Sequence, residues 1–266
     1  MAGAIGWRDW MRDGASVSMW TGTNESGMPT ENLFDPQPGL RARFIPNGVN
    51  TVQFIVDLGA VRTLGAMALV NSTLTGAETL RFRTSEVDPT VASFDYSIDA
   101  TATTPDATRG QITILRSADL SARYVWFRFT NCAAVLDIGN IAVFETFRFA
   151  IRPGLGMVEG RLPSGILDRN PFTRTEHRLA GLVNARYARV TVPSILASEY
   201  DGTLRAVLDA VHPSDDVLWI PDTDLSAAEL NRRSIYGALT RPGEDVGFSY
   251  NRPQRAQFSF QIAERA

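Results

Sequence analysis

The feature that most constrains this chain is a repeated alternation of apolar and polar residues in short runs, each ended by Gly, Pro, Asn or Asp. A period of two turns one face of an extended strand inward and the other to water, and the punctuating residues supply turns. Val52–Leu58, Leu64–Val70 and Glu78–Thr84 follow one another in this way. Gln111–Arg116, Arg123–Thr130 and Ile141–Phe149 continue the series. Within the third run, Leu80 and Phe82 are expected inward and Arg81 and Arg83 outward, the half-buried antiparallel pattern. No long helix is expected between about residues 20 and 149.

The texture changes after Phe149, where Arg152-Pro153-Gly154-Leu155-Gly156 and then Leu162-Pro163-Ser164-Gly165 break any strand. The chain of 266 residues is long enough for about two ordinary domains, and the break places the boundary at 1–150 and 151–266. Beyond it, Arg186–Val192 reads as a strand, and Leu204, Val207, Leu208 and Val211 recur at helical spacing within Ser194–Val211, which Pro213 is expected to close. Asp216–Ile220 reads as a short buried strand. Ser226 with Glu229 three residues on forms a capping box. Strands are then expected at Arg233–Leu239, Val246–Tyr250 and Ala256–Ile262, the last with Ala256, Phe258, Phe260 and Ile262 on one face. The fold class is therefore mainly β: an antiparallel sandwich followed by a small β-barrel or sandwich with one main α-helix.

Composition serves chiefly to exclude. The chain has 26 Lys plus Arg, and every one is Arg. Absence of Lys removes Schiff-base and P-loop lysine chemistry, and a GC-rich genome or selection for guanidinium contacts would each produce it. A formal net charge of −3 argues against nucleic-acid binding by charge alone. No apolar run approaches the ~20 residues of a membrane helix, and Met1–Asp9 lacks the basic start and apolar stretch of a signal peptide. Cys132 is alone, so it forms no intrachain disulfide or cysteine zinc site and is expected to pack as a small apolar residue.

Catalytic patterns are sparse. His177 and His212 lie apart without partner spacing, which gives little basis for a triad or a histidine metal site. Gly154-Leu-Gly-Met-Val-Glu-Gly160 has its third glycine one residue late for a dinucleotide loop, with Pro163 blocking the helix that must follow. The acidic pairs Asp215-Asp216 and Glu244-Asp245 are adjacent, and a glycosidase pair is defined by separation in space. No enzyme is expected.

A constellation in the first half is more informative. Its order is Trp20-Thr-Gly-Thr-Asn24, Glu31-Asn32-Leu33-Phe34-Asp35, Val52 to Asp57-Leu58-Gly59, and Leu64–Val70 with Asn71; it closes with Arg123–Phe129 and Ile138-Gly-Asn-Ile-Ala-Val-Phe144. Over roughly residues 16 to 147 this resembles the discoidin-like, galactose-binding-like jelly roll of many carbohydrate-binding modules. The resemblance implies an antiparallel jelly roll whose end loops bind ligand, with Trp20, Asn24, Arg41 and Arg43 as candidates. The alternative for the same residues is that Trp20 packs under its loop while the arginines are solvated or form interface salt bridges. In calcium-binding members of that family the loop Asp and a Glu at the start of the last strand help hold the ion. Asp35 matches, but Asn140 replaces the Glu and Pro36 stands where glycine often follows, so the expectation is no cofactor, with Ca²⁺ at Asp35 as the minority alternative.

The second half, with three strands after a helix, resembles the barrel-plus-helix domain of bacteriophage tail-tube and distal-tail proteins. Together the halves resemble a tail-tip or baseplate component. That resemblance implies a homo-oligomeric ring formed by the barrel, contacts with other tail proteins, a peripheral jelly roll that touches neighbours or host surface glycans, and a place in the virion. The alternative is a soluble carbohydrate-binding module or lectin of a bacterial surface system.

Overall fold

The computed structural model describes residues 3–35, 39–89, 100–102, 105–106, 109–132, 135–150, 157–162, 167–169, 176–178, 185–211, 215–240, 249–252 and 255–264. In the first half the strands are β1 (Ala4–Asp9), β2 (Ser16–Thr21), β3 (Thr23–Asn24), β4 (Ala42–Ile45), β5 (Val52–Val70), β6 (Thr79–Ser85), β7 (Ala100–Ala102), β8 (Ile112–Thr130), β9 (Leu136–Ile138) and β10 (Asn140–Arg148). In the second they are β11 (Val158–Leu162), β12 (Leu167–Arg169), β13 (Glu176–Arg178), β14 (Ala185–Leu196), β15 (Asp216–Ile220), β16 (Ile235–Thr240), β17 (Ser249–Arg252) and β18 (Arg255–Glu264). A helical stretch over 197–210, here α1, passes through a π turn at Tyr200–Leu204, and α2 spans Ala227–Arg233. The protein is thus mainly β, an antiparallel jelly-roll sandwich continued by a smaller β unit with helices.

β5 and β8 form the frame. They pair in three stretches, Val52–Asp57 against Tyr124–Phe129, Arg62–Leu64 against Leu120–Ala122 and Ala66–Leu69 against Ile112–Leu115, with register shifts between them. Such bulges let one strand bend and serve two sheets. The first stretch carries β2 and, through β8, β6 and β7; the last carries β10. The short sheet β3-β4-β9 packs against β5, with Phe44 of β4 stacked on Phe54 of β5 at 5.0 Å between ring centroids. Phe127, Phe129, Leu80 and Phe82 complete that core, and Cys132 is buried beside it with its thiol pushed up to about 11 by burial.

β1 connects the halves. It pairs with β10 on one side and with β15 on the other, so a single sheet runs in the order β11-β14-β18-β16-β15-β1-β10-β5-β8-β6-β7. The far end of this sheet wraps a second core of Val190, Val192, Trp219, Phe260 and Ile262, which also takes in Ile5, Phe147 and Phe149. A third cluster lies on the reverse face of the connecting strands, where Ala66, Ala68 and Ala142 leave room for Phe144, Tyr236 and Leu230 of α2.

Several expectations hold and several change. Leu80 and Phe82 are buried and Arg81 is exposed, Phe260 and Ile262 share a buried face, and Ser226 accepts from the Glu229 N–H as the capping box requires. The runs Val52–Leu58 and Leu64–Val70 are one strand, as are Gln111–Arg116 and Arg123–Thr130, because the polar interruptions mark bulges rather than turns. The helix expected over Ser194–Val211 begins only at Ala197, since β14 runs to Leu196. His212 and Pro213, and residues 246–248 of the expected strand Val246–Tyr250, lie outside the described residues.

A buried polar cluster sits where β1 meets the second half. Arg12 donates to Asp216 Oδ2 and to the Tyr236 hydroxyl, and that hydroxyl donates to Asp216 Oδ2 at 3.1 Å. Asp9 Oδ1 accepts from the Met11 and Val143 N–H groups, both at 3.1 Å, while Asp9 Oδ2 lies 3.6 Å from Arg12 Nε. Burial pushes the Asp9 carboxyl up to about 7, against the opposing pull of those N–H groups and of Arg12. A protonated Asp9 leaves the Arg12–Asp216 pair balanced, which limits the cost of burying three ionisable groups.

Two expectations follow. Because the folded Asp9 binds its proton more tightly than the unfolded one, its stabilising contribution is complete below about pH 4 and is lost as pH rises to about 7. Denaturant titrations of wild type and Asp9→Asn across that window should show the wild type losing on the order of 4 kcal/mol relative to the variant. A Cβ at Gly6 would sit 2.7 Å from Phe144 Cγ, so Gly6→Val should cost roughly 1–3 kcal/mol, read as a lowered denaturant midpoint.

Candidate ligand-binding face

Asn24, Arg41 and Arg43 lie on and around β3, β4 and β9, and Trp20 lies near the end of β2, which precedes β3 in the chain. Asn24 lies opposite Phe44 in the β3–β4 pair. Its amide donates to the carbonyls of Met28, at 3.0 Å, and Arg43, at 2.8 Å, which fixes the intervening loop. Arg43 and Asp137 face each other across β4 and β9. The guanidinium makes a two-pronged bond, Nε to Oδ1 at 2.7 Å and Nη2 to Oδ2 at 2.9 Å, and Nη1 reaches Glu25 at 3.4 Å. These bonds hold the Asp137 carboxyl below the ordinary range despite its burial. Such a fork retains N–H groups beyond those already bonded, and Arg43 keeps a third of its side chain exposed.

Arg41 donates to Asn71 Oδ1 at 2.6 Å, and its carbonyl accepts from Asn32. Asn71 sits at φ +55°, a left-handed position that asparagine tolerates. Trp20 occupies the irregular position in the β2–β5 pairing, between Met19 opposite Phe54 and Thr21 opposite Gln53, and is 48% exposed. It is therefore not sealed beneath its loop. Ile45, Val49 and Leu40 are further large apolar side chains exposed in this half.

Asp35 ends a short 3₁₀ turn over Thr30–Phe34. Asn140, at the position where the family resemblance puts a glutamate, donates its amide to the Asp35 carbonyl at 2.9 Å, and its Oδ1 is buried without a hydrogen bond. The side chain thus ties the loop to β10 through a neutral bond. Ca²⁺ takes six to eight oxygens with several carboxylates among them. Among the described residues no group of three or more His, Cys, Asp or Glu is placed to hold a metal ion. This donor set does not fit calcium.

Concave sites among the described residues also lie elsewhere. One, of about 460 Å³, opens beside Asp9, Arg12 and Asp216. Two carboxylates beside a cavity suggest acid–base chemistry, but Asp216 is wholly buried against Arg12 and Tyr236 and Asp9 Oδ1 accepts two backbone N–H groups, so both are committed to holding β1. Another, of about 420 Å³, is lined by Arg109, Arg161, Arg186, Arg232 and Arg233 with Asp106 and Glu159. Sequence reasoning missed it because its arginines come from four separate segments of the chain, only Arg232 and Arg233 being adjacent. Their only early signal is that every basic residue is Arg.

No protein-family model matches the chain, and no curated protein matches it. Solved structures similar to it include chitosan-binding module 1 of a chitosanase/glucanase from Paenibacillus sp. IK-5, with 18% identity, 52% of this chain and 99% of that one covered, and a TM-score of 0.43. A family 32 carbohydrate-binding module of C. perfringens NanJ, solved with galactose, has 13% identity, 53% and 99% coverage and a TM-score of 0.42. A Ruminococcus gnavus GH29 fucosidase in complex with fucose has 15% identity over 53% of this chain and a TM-score of 0.42, and the match spans only 27% of that enzyme.

The Arg43–Asp137 fork makes one pH expectation. Asp137 contributes stability above its unfolded pKa that is lost as pH falls through its lowered folded value. Asp137→Asn should therefore unfold less steeply than wild type on acidification below about pH 4, measured by circular dichroism against pH.

Proposed function

We propose that this protein is a non-catalytic glycan-binding protein whose jelly roll, within residues 1–150, presents a sugar site at the β3-β4-β9 end, with residues 151–266 as a supporting unit. The observation that carries this reading is the half-exposed Trp20 in the same part of the fold as Arg41 and Arg43, whose guanidinia are fixed by Asn71 and Asp137. A sugar ring offers an apolar face to an aromatic surface and hydroxyls to fixed donors. Few placed polar groups around an aromatic platform suffice to orient a ligand. Asn24 acts by holding the loop rather than by touching the sugar, because both of its amide hydrogens go to backbone carbonyls.

A second reading concerns assembly. Among the described residues, the sheet that joins the halves ends on β11 at one side and β7 at the other, and Val158 on β11 is exposed. Such edges accept further strands, which supports a role as a subunit of a larger structure such as a phage tail tip, with the glycan site at its periphery. Particle reconstruction of virions, or crosslinking in them, tests this; a protein recovered only as a cytosolic monomer free of particles refutes it.

A glycan array on the intact chain tests the main reading. Saturable retention of a defined glycan is expected, with Trp20→Ala folding normally and losing affinity by about tenfold or more. Failure of every glycan to bind better than it binds this variant refutes the proposal.

A further inference from the structure

We propose that the arginine-lined cleft between β11, β14 and the end of α2 binds a small phosphate monoester. Its wall is built around Glu264. Arg186 donates to that carboxylate from Nε at 2.9 Å and from its backbone N–H at 2.8 Å, and Arg109 adds Nε at 3.0 Å. Burial alone would raise the Glu264 carboxyl, but the Arg186 and Arg109 contacts hold it below the ordinary range. Arg186 also reaches Gln111 at 2.8 Å and the Arg232 carbonyl at the end of α2. This guanidinium is therefore fully engaged in building the wall.

The charges around it do not cancel. Arg161 lies directly opposite Arg186 across the β11–β14 pair, an arrangement that like charges destabilise. Arg233 leans on Glu159 at 3.4 Å. Arg161 and Arg232 are exposed, and among the described residues neither has an ion-pair partner. Counting Arg109, Arg161, Arg186, Arg232 and Arg233 against Asp106, Glu159 and Glu264 leaves two positive charges in excess, in a chain whose formal net charge is −3. Excess charge of one sign in a concave site concentrates the opposite ion.

A phosphate monoester carries close to two negative charges at neutral pH and offers three oxygens to guanidinium forks. It matches the excess in both charge and geometry, whereas a uronic acid brings a single charge. The volume of about 420 Å³ leaves room for a sugar-sized group behind the phosphoryl. Arg161 and Arg232 are the ligand-contacting residues, and Arg186 is a positioning residue. The site is independent of the Trp20 end of the sandwich.

Isothermal titration of the full chain with inorganic phosphate, glucose 6-phosphate, glucuronate and glucose tests it. The two phosphates should bind at one site per chain, more weakly as salt is raised. Arg161→Ala and Arg232→Ala, both on the surface, should each weaken binding by about tenfold or more. Trp20→Ala should bind the phosphates as wild type does. Glucuronate binding as tightly as glucose 6-phosphate would overturn the phosphate assignment. Equal binding by wild type and the Arg161→Ala/Arg232→Ala double variant, or no binding of either phosphate, would overturn the site.

Discussion

The pairing of β1 with two partners at once holds this structure together. Ala4–Asp9 supply one ladder to β10, and Ala4–Gly6 another to β15, and without them the sheet would end in two open edges. An unpaired edge inside a packed protein leaves N–H and C=O groups without water or partners, which is costly. The side chains of β1 follow from this position: Ala4 enters the cluster beneath α2, Ile5 enters the core of the second half, and Gly6 gives way to the Phe144 ring. The part bonded on both edges, Ala4–Gly6, is apolar, and the charged Arg8 and Asp9 follow only where the β15 ladder has ended.

Polar groups nonetheless reinforce the junction. The Asn231 side chain accepts from the Thr113 N–H, Gln111 donates to the Ser234 carbonyl, and Glu264 gathers Arg109 and Arg186. The Thr113, Gln111 and Arg109 contacts each link β8 or the turn before it with the second half, while Arg186 holds Glu264 from within that half. Hydrogen bonds of this kind add little net stability each, but leaving one partner unmatched is expensive, so they fix a single way of joining the halves. The Asp9–Arg12–Asp216–Tyr236 cluster does the same on the other side of β1, with burial holding the tyrosine hydroxyl well above its ordinary pKa and so in its donor form.

The sequence was legible where one face of an element meets water. Leu80 and Phe82 alternate with arginines, Phe260 and Ile262 alternate with Gln261, and Ser226 with Glu229 announces α2, so all three elements could be read locally. β1 could not, because burial on both faces erases its alternation. The middle of β5 misled for a different reason: Gly59 at φ +75° and the exposed residues that follow look like a turn, although the strand continues through them. The first-half site residues were legible as types, since Arg41 and Arg43 flank Ala42 at the start of β4, but their partners Asn71 and Asp137 depend on tertiary pairing. The arginine cleft was illegible altogether, being assembled from β11, β14, α2 and the turn before β8.

The place of β1 in the chain also bears on how the structure forms. Ala4 and Ile5 pair with Arg148 and Phe147 on one side and with Ile220 and Trp219 on the other. Contacts so distant in sequence form slowly. The first jelly roll can close on β1 as soon as β10 is made, and until β15 arrives the outer ladder of β1 stays open. That interval is when the chain is most exposed to wrong strand partners, and its length is set by the roughly seventy residues that separate β10 from β15.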